Sequence, residues 1–523
     1  MTIRTHGDTM RTHTTLLALA AALTLAGCSG SNDSSGGQAQ AALGATSSTA
    51  YVTSLQAVGA PIVTSTVTLV YRLVDTAVGT VDLDVDLSLD GGATWGPTTD
   101  APGGHGRAAL LTGTGLGAEH IYRWNSAADV PTAGAALVRV TPRGGKGQTA
   151  GPLFVDNQPP APSLLARQPY LQGTTTSSVT VVWRSAAPTG SVVEYGPTPA
   201  LGQVAGSYAS NVIDHAVEIT GLQPGQTYWY RVNANHQPAT VRLPFETAPL
   251  AGSGAEVTFL AFGDSGVASA EQYALGAQMG AEDVDFVTHT GDLVYPLGGL
   301  PNPSAEYDLR VFQPYQTLMR LRPFFPATGN HDAGSLFIPF QQAFFLPHHG
   351  GAQLTSELYY SFTWGDAKLV VLETTALHKL PFGEPYHWLV NELSTNTHKW
   401  LIVVAHHPLY SHRGAEPGLI PTLEPLFETY GVDLVLAGHD HDYERSVPMK
   451  AYNTDPAYPG LIHVVTGGGG APLDTVPPQA GPHTDRLISA FHYVKVRISG
   501  DWLYLDAIDL NGVAIDSFAL RNQ

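Results

Sequence analysis

The stretch "DFVTHTGDLVYP" (residues 285–296) is a short apolar run that ends in Gly-Asp, with a tyrosine three residues past the aspartate. An apolar run of this length, stopped by a glycine, reads as a buried strand. Asp292 then sits just past the strand end. Tyr295 has two competing readings: an aromatic that packs in the core, or a phenolate that touches a metal. The neighbouring segments bear on the choice. "VTFLAFGD" (257–264) ends in Asp264, "PFFPATGNH" (323–331) in Asn330 and His331, "WLIVVAHH" (400–407) in His406 and His407, and "VDLVLAGHDH" (432–441) in His439 and His441. In α/β sheets, function gathers beyond the C-terminal ends of the strands. Five segments that deliver Asp, Asp, Asn, His and His-x-His there can converge on one point. One Gly-Asp pair is a weak signal; the ordered set of five is a strong one.

Working outward, the pattern from about residue 256 alternates short apolar strands with amphipathic stretches such as "AEYDLRVFQPYQTLMRL" (305–321), which is an α/β pattern. The tail returns to β runs: "FHYVKVRI", "DWLYLDAI" and "VAIDSFAL". Upstream the chain reads as all-β. In "VDLDVDLSLDGG" (81–92) apolar residues alternate strictly from Val81 to Leu89 before a turn at Asp90 and Gly91. Asp82, Asp84 and Asp86 share one face, but Leu87 stands where a calcium loop needs its turning glycine, so the stripe reads as the solvated face of an edge strand. Residues 50–157 are expected to form an immunoglobulin-like β-sandwich. "VDNQPPAPS" (155–163) is a Pro-rich boundary, and residues 160–248 form a second β-domain. There "SVTVVW" ends in Trp183, and "LQPGQTYWYRV" (222–232) puts a turn before a strand with Tyr228 and Tyr230. This resembles a fibronectin type III domain, in which such a tyrosine fixes the corner. A glycan-binding strip of Trp183, Trp229 and Tyr230 is the alternative, and core packing the stronger reading.

The 523 residues allow two to four domains, and 56 glycines with 38 prolines favour turn-rich β structure. A formal net charge of −19 argues against a general nucleic-acid binder, which needs a basic footprint. The one cysteine, Cys28, permits no intrachain disulfide. It ends "LTLAGC", directly after an apolar run (16–26) that Arg4 and Arg11 precede. That run is too short to span a bilayer and has the layout of a secretory signal. "LAGC" resembles a bacterial lipoprotein box, which implies lipidation of Cys28. Met10 offers a more compact start. Residues 1–28 are read as the signal and 29–49 as a Gly/Ser-rich tether. The expected location is the bacterial cell envelope, lipid-anchored, or the exterior. Oligomeric state is not legible.

The motifs from residue 256 onward resemble the purple acid phosphatases, within the calcineurin-like metallophosphoesterases. The family pattern D-x-G, GD-x-x-Y, GNH-D/E, V-x-x-H and GH-x-H corresponds to "DSG" (264–266), "GDLVY" (291–295), "GNHD" (329–332), "VVAH" (403–406) and "GHDH" (438–441). "YER" (443–445), "TGGGG" (466–470) and the β-domain immediately upstream are similar too; residues 50–157 are not part of the resemblance. It implies an α/β four-layer metallophosphoesterase sandwich over 256–523 and two metal ions. Metal 1 would take Asp264, Tyr295 and His441; metal 2 would take Asn330, His406 and His439; Asp292 would bridge them. His407 falls at a variable position and is left out of the ligand set. Site 1 gathers anionic oxygen ligands, which suit Fe(III); site 2 suits a divalent Fe(II), Zn or Mn. A free phenol has a pKa of about 10, so Tyr295 needs a strong Lewis acid to ligate as phenolate.

The implied reaction is hydrolysis of phosphate monoesters by direct attack of a metal-bound hydroxide, with small phosphate esters as substrates and no phosphoenzyme. The resemblance gives His331 a role in binding phosphate or protonating the leaving group, with Asp332 orienting it. His412 is read as a second catalytic residue lining the pocket, against an ordinary loop histidine. His348 and His349 read as surface residues, His289 as a support or core residue, and Arg445 as a brace for the loop after His441. Three alternatives stay open: a phosphodiesterase with the same site, a non-catalytic surface-binding protein with a degenerate hydrolase domain, and a plain Mn/Zn enzyme whose Tyr295 only packs.

Overall fold

The computed structural model describes residues 49–522, apart from 59–61, 132, 158–161, 296–302, 349–354, 356, 379, 415–417, 450–459 and 479. The signal, Cys28, nearly all of the tether, Pro296 and His349 lie outside the described residues.

The first β-region packs two sheets on one core. A three-stranded antiparallel sheet (Tyr51–Ala57, Thr66–Val74, Ala118–Asn125) faces a five-stranded one that includes Leu83–Ser88, Ala133–Pro142 and Gln148–Asp156. Tyr71, Trp124, Val85 and Val138 are fully buried between them. The acidic stripe is solvated as expected, with Asp82 and Asp84 exposed, but its strand is placed differently. Leu83–Ser88 is not an edge strand: it lies between Ala133–Pro142 and the two-residue strand Gly96–Pro97. Its carboxylates are paired, Asp84 and Asp82 with Arg143 and Asp86 with Arg139. Cross-strand cations on the neighbouring strand, invisible to local alternation, are what neutralise that face.

The second β-region is built on one long strand, Ser178–Gly196. Its first half pairs with Leu165–Gln172 and its second half with Thr227–Ala234, while Gln203–Thr220 follows it through both. Trp183 is buried and stacks on His215, with ring centroids 4.6 Å apart. Tyr228 receives a hydrogen bond from the Gln223 backbone N–H (3.0 Å), which closes the turn before its own strand. Tyr230 is buried and donates to the Arg320 carbonyl in the next domain (2.7 Å). Trp183 and Tyr230 are thus packing residues.

From Val257 the chain forms two facing sheets with helices outside. The first runs Phe324–Pro326, Phe286–His289, Val257–Phe262, His492–Ser499, Trp502–Asp509, Ala514–Arg521. The second runs Tyr360–Trp364, Ala367–Val371, Trp400–Val404, Leu434–Ala437, Ile462–Thr466, Tyr443–Ser446, Thr484–Ile488. Strand alternation sorts the aromatics. Phe259, Phe286 and Phe325 point between the sheets, where Phe325 stacks on Phe362 at 3.8 Å and Phe286 meets Trp364 at 5.3 Å. Phe262 and Phe324 point the other way, onto Tyr315 of helix Gln313–Met319. Helices Glu384–Ser394 and Leu419–Tyr430 cover the second sheet with Leu389, Leu393, Leu423 and Phe427. The order is helix, sheet, sheet, helix. The adjoining strands Val257–Phe262, Phe286–His289 and Phe324–Pro326 are parallel, as are Trp400–Val404 and Leu434–Ala437. The C-terminal ends of both sets meet at one seam.

At the opposite ends of these strands the two sheets use the same device. The Asp285 carboxylate accepts the Thr258 N–H (2.6 Å), and that of Asp433 accepts the Leu401 N–H (2.9 Å). Burial raises each carboxyl to about 6, against the opposing pull of those hydrogen bonds. The folded chain therefore holds protons that the unfolded chain has released, and this contribution is present below about pH 4 and lost as pH rises to 6. The Tm of an Asp285→Asn, Asp433→Asn double variant should gain on wild type between pH 4 and pH 6. A constant difference across that window would contradict the assignment.

Candidate metal centre

Each site residue stands one short turn past a strand end. Asp264 follows Val257–Phe262, Asp292 follows Phe286–His289, and Asn330 follows Phe324–Pro326; His406 and His439 follow Trp400–Val404 and Leu434–Ala437 in the other sheet. Asp264, Asp292 and His439 all have left-handed backbones, with φ of +56°, +57° and +72°. Such turns cost non-glycine residues roughly 1–3 kcal/mol each and cluster at functional sites. Here they double the chain back so that side chains from two sheets reach a common point. Close approach needs glycine beside them: a Cβ on Gly329 would lie 2.1 Å from Asp292 Oδ1, and one on Gly438 2.4 Å from Asp264 Oδ2.

The donor atoms gather in two groups that share Asp292. In the first, Tyr295 Oη lies 2.9 Å from Asp292 Oδ2, 3.1 Å from Asp264 Oδ1 and 3.2 Å from His441 Nε2. The hydroxyl has one hydrogen to give to these three atoms. In the second, His406 Nε2 lies 2.9 Å from Asn330 Oδ1, 3.3 Å from His439 Nδ1 and 3.5 Å from Asp292 Oδ2. His406 donates through Nδ1 to the Thr290 carbonyl (2.9 Å), which leaves a lone pair on Nε2. His441 Nδ1 is fixed in the same way on the Pro472 carbonyl (2.8 Å). Lone pairs of nitrogen, amide oxygen and carboxylate thus face one another in a cleft whose floor, at Asp264, Asp292 and His406, is buried and whose other donors are partly open to solvent. A cation in each group would be shared by donors already about 3 Å apart, the spacing that bonds of about 2 Å produce.

The same crowding shifts the titration of the donors themselves. Burial raises Asp264 to about 7, with the His441 hydrogen bond acting against it and the charge of Asp292 adding to it. His441 rises to about 9, because the hydrogen bond and charge of Asp264 outweigh its burial. Burial and both carboxylates hold the Tyr295 phenol far above its usual range. Burial, with His439, keeps His406 neutral. Cations would displace the protons and reverse this order.

The residues around the centre fall into place individually. His331 lies over Tyr295 (ring centroids 4.1 Å apart), with Nε2 3.9 Å from Asp292 Oδ2 and its backbone N–H on Asp292 Oδ1 (2.8 Å). Burial lowers its pKa, as do His441 and His439 against the pull of Asp292. Asp332 does not orient it: that carboxylate accepts the backbone N–H groups of Gly329 (2.9 Å) and Leu293 (3.1 Å), and so pins the loops that carry Asn330 and Asp292. His289, fully buried, accepts the Gly291 N–H on Nδ1 (3.1 Å) and meets Ser265 Oγ at 2.9 Å, a support for the Asp292 turn. His407, left out of the ligand set, has a donor nitrogen within 4.8 Å of those of His406 and His439. His412, expected to line the pocket as a catalytic residue, instead turns its ring into an acidic cluster. Its side chain is 5% exposed, and Nδ1 faces Glu444 Oε2 (3.2 Å) and Asp442 Oδ2 (3.4 Å). Arg445 braces the sheets, on Asp516 and Asp485. His348 is mostly exposed. The Thr290 and Pro472 carbonyls were missed by sequence reasoning, since a backbone acceptor leaves no residue-type signal.

Comparison with known proteins follows the same division. The calcineurin-like phosphoesterase family matches residues 257–443, and the purple acid phosphatase N-terminal domain matches residues 166–247. Purple acid phosphatase 21 of Arabidopsis thaliana is 30% identical over 334 residues, covering 59% of this chain and 72% of its own length. The chain belongs to the purple acid phosphatase family. This is a family of hydrolases of phosphoric esters. An uncharacterised Mycobacterium tuberculosis protein is 29% identical over 316 residues, covering 50% of this chain and 59% of its own, so the chain spans about three fifths of that relative. Among solved structures, a purple acid phosphatase from yellow lupin seeds superposes with a TM-score of 0.59 at 20% identity, over 90% of this chain and 96% of its own. That likeness concerns fold.

Gly329→Ala tests the packing of the shared ligand. The added methyl should push Asp292 off its position, and the purified variant should keep its secondary structure while holding far less metal after dialysis than wild type. Full metal content would contradict the placement.

Proposed function

We propose that this purple acid phosphatase family member is a binuclear-metal acid phosphatase that hydrolyses phosphate monoesters. The observation that carries the reading is the pair of donor groups that share Asp292, one with a phenol and two carboxylates, the other with an amide and two imidazoles. Oxygen-rich Asp264, Asp292 and Tyr295 with His441 suit Fe(III), and Asn330, His406 and His439 suit Fe(II), Zn or Mn. When bound, the two cations supply Lewis acidity to the phosphoryl oxygens and activate the attacking water. The chain's own residues do the rest. Asp292 fixes the separation of the two groups. Thr290 and Pro472 hold His406 and His441 in the ligating tautomer. His331, held by burial largely neutral near pH 7 and partly open to solvent, becomes a proton donor to a leaving alkoxide at acid pH. An N-terminal lipid on Cys28 would place the enzyme on the bacterial envelope. No helix among the described residues is long and apolar enough to cross a membrane.

Hydrolysis of a nitrophenyl phosphate by purified, metal-analysed protein tests the reading. Turnover of the monoester well above that of the bis(nitrophenyl) ester is expected; the reverse order would make the protein a diesterase, and no turnover of either by fully loaded protein would remove the enzymatic reading. Tyr295→Phe should abolish a visible tyrosinate-to-iron absorption while the second group retains its metal. A wild-type protein that is colourless with two non-iron metals at full occupancy would exclude iron. His331→Ala should keep both metals and lose roughly 10²–10⁴-fold in kcat, the range of positioned acid–base catalysis; loss of metal instead would make it a ligand.

A further inference from the structure

His412, Asp442 and Glu444 form a second group of donors, whose ligand atoms all lie within 4.8 Å of one another. Asp442 and Glu444 follow directly on the segment 438–441 that presents His439 and His441. Asp442 is completely buried, and neither of its carboxylate oxygens has a hydrogen-bond donor; His412 Nδ1, 3.4 Å from Oδ2, is an ion-pair neighbour only. Asp440, two residues earlier and also buried, has Oδ2 without a donor while Oδ1 faces Arg413 at 3.5 Å. Asp442 and Glu444 thus share the His412 imidazole, while Arg413 faces Asp440, and His483 Nε2 (3.7 Å) and the Thr484 hydroxyl serve the other oxygen of Glu444.

An imidazolium does not resolve this arrangement. Nδ1 has one hydrogen, and its nearer neighbour is Glu444 Oε2 at 3.2 Å, which already accepts the His412 backbone N–H at 2.7 Å. Asp442 is left unserved. Protonating Asp442 offers only a neutral His412 Nδ1 as acceptor, 3.4 Å from Oδ2, and leaves the other carboxylate oxygen still without a partner. A cation can serve both carboxylates and the imidazole together. Donors on a tetrahedron of bonds about 2.0–2.1 Å long lie about 3.3 Å apart, and the observed spacings from Nδ1 are 3.2 and 3.4 Å.

We propose that His412 Nδ1, Asp442 and Glu444 bind a third, divalent first-row cation of the zinc or manganese class, separate from the binuclear pair. One imidazole with two carboxylates is a donor set of that class. The site joins the segment that leaves His406 to the one that carries His439 and His441, so its ion is a positioning metal. It braces both ligand-bearing segments and does not touch substrate.

The full chain would be stripped with chelator, reloaded with Zn(II) alone, exchanged into metal-free buffer and counted by plasma mass spectrometry beside Asp442→Asn treated identically. Wild type should hold one more zinc per chain than the variant. Equal counts would overturn the proposal. Wild-type crystals at the zinc edge give a test without a variant: an anomalous peak should lie between His412 Nδ1, Asp442 and Glu444. Peaks at Asp292 with none there would overturn the third site and leave the binuclear reading intact.

Discussion

The centre depends on one carboxylate serving two groups of donors. Asp292 reaches Tyr295 in one group and His406 in the other, and it is 2% exposed. Its position is over-determined. The backbone is left-handed, His331 donates to Oδ1, Asp332 pins the next residue, and His289 supports the preceding glycine. A carboxylate with that many constraints cannot drift toward either group. The gap between the groups is therefore set by the protein, which is what a pair of cations acting on one phosphoryl group requires.

That gap also depends on the alignment of two separate sheets, since the donors come from both. Polar ties cross between them. Tyr443 and Arg445 in the second sheet both bond to Asp516 in the first, and Ala471 and Gly469 donate to the carbonyls of Asp264 and Gly263. The glycine run 467–470 permits this approach, because a Cβ on Gly469 would lie 2.2 Å from the Gly263 carbonyl. Strained turns at Asp264, Asp292 and His439 are held in place by this packing, so local conformational cost is offset by the tertiary core.

What sequence could show follows the range of each interaction. The strand ends and their donors were legible because a strand and its terminal ligand lie within about eight residues, and the glycines beside them mark tight turns. His412 was misplaced because its partners, Asp442 and Glu444, are thirty residues away in another segment and carry no metal motif of their own. Asp332 follows His331 directly and so looked like its orienting partner; the turn sends its carboxylate to Leu293 and Gly329 instead. The stripe of Asp82, Asp84 and Asp86 is solvated, as its alternation indicates, but its pairing with Arg139 and Arg143 was not legible because they lie over fifty residues downstream. Alternation gives a face, but not what lies beside it.

The second β-region does more than precede the catalytic sheets. Phe324–Pro326 is the outer strand of its sheet, and Leu171 bridges to Pro323 while Gln172 donates to the Phe324 carbonyl (2.8 Å). An uncovered strand edge templates pairing with other chains. The β-region therefore acts as a guard against intermolecular association at the strand that leads to Asn330. Its removal would threaten solubility first, before any ligand is touched.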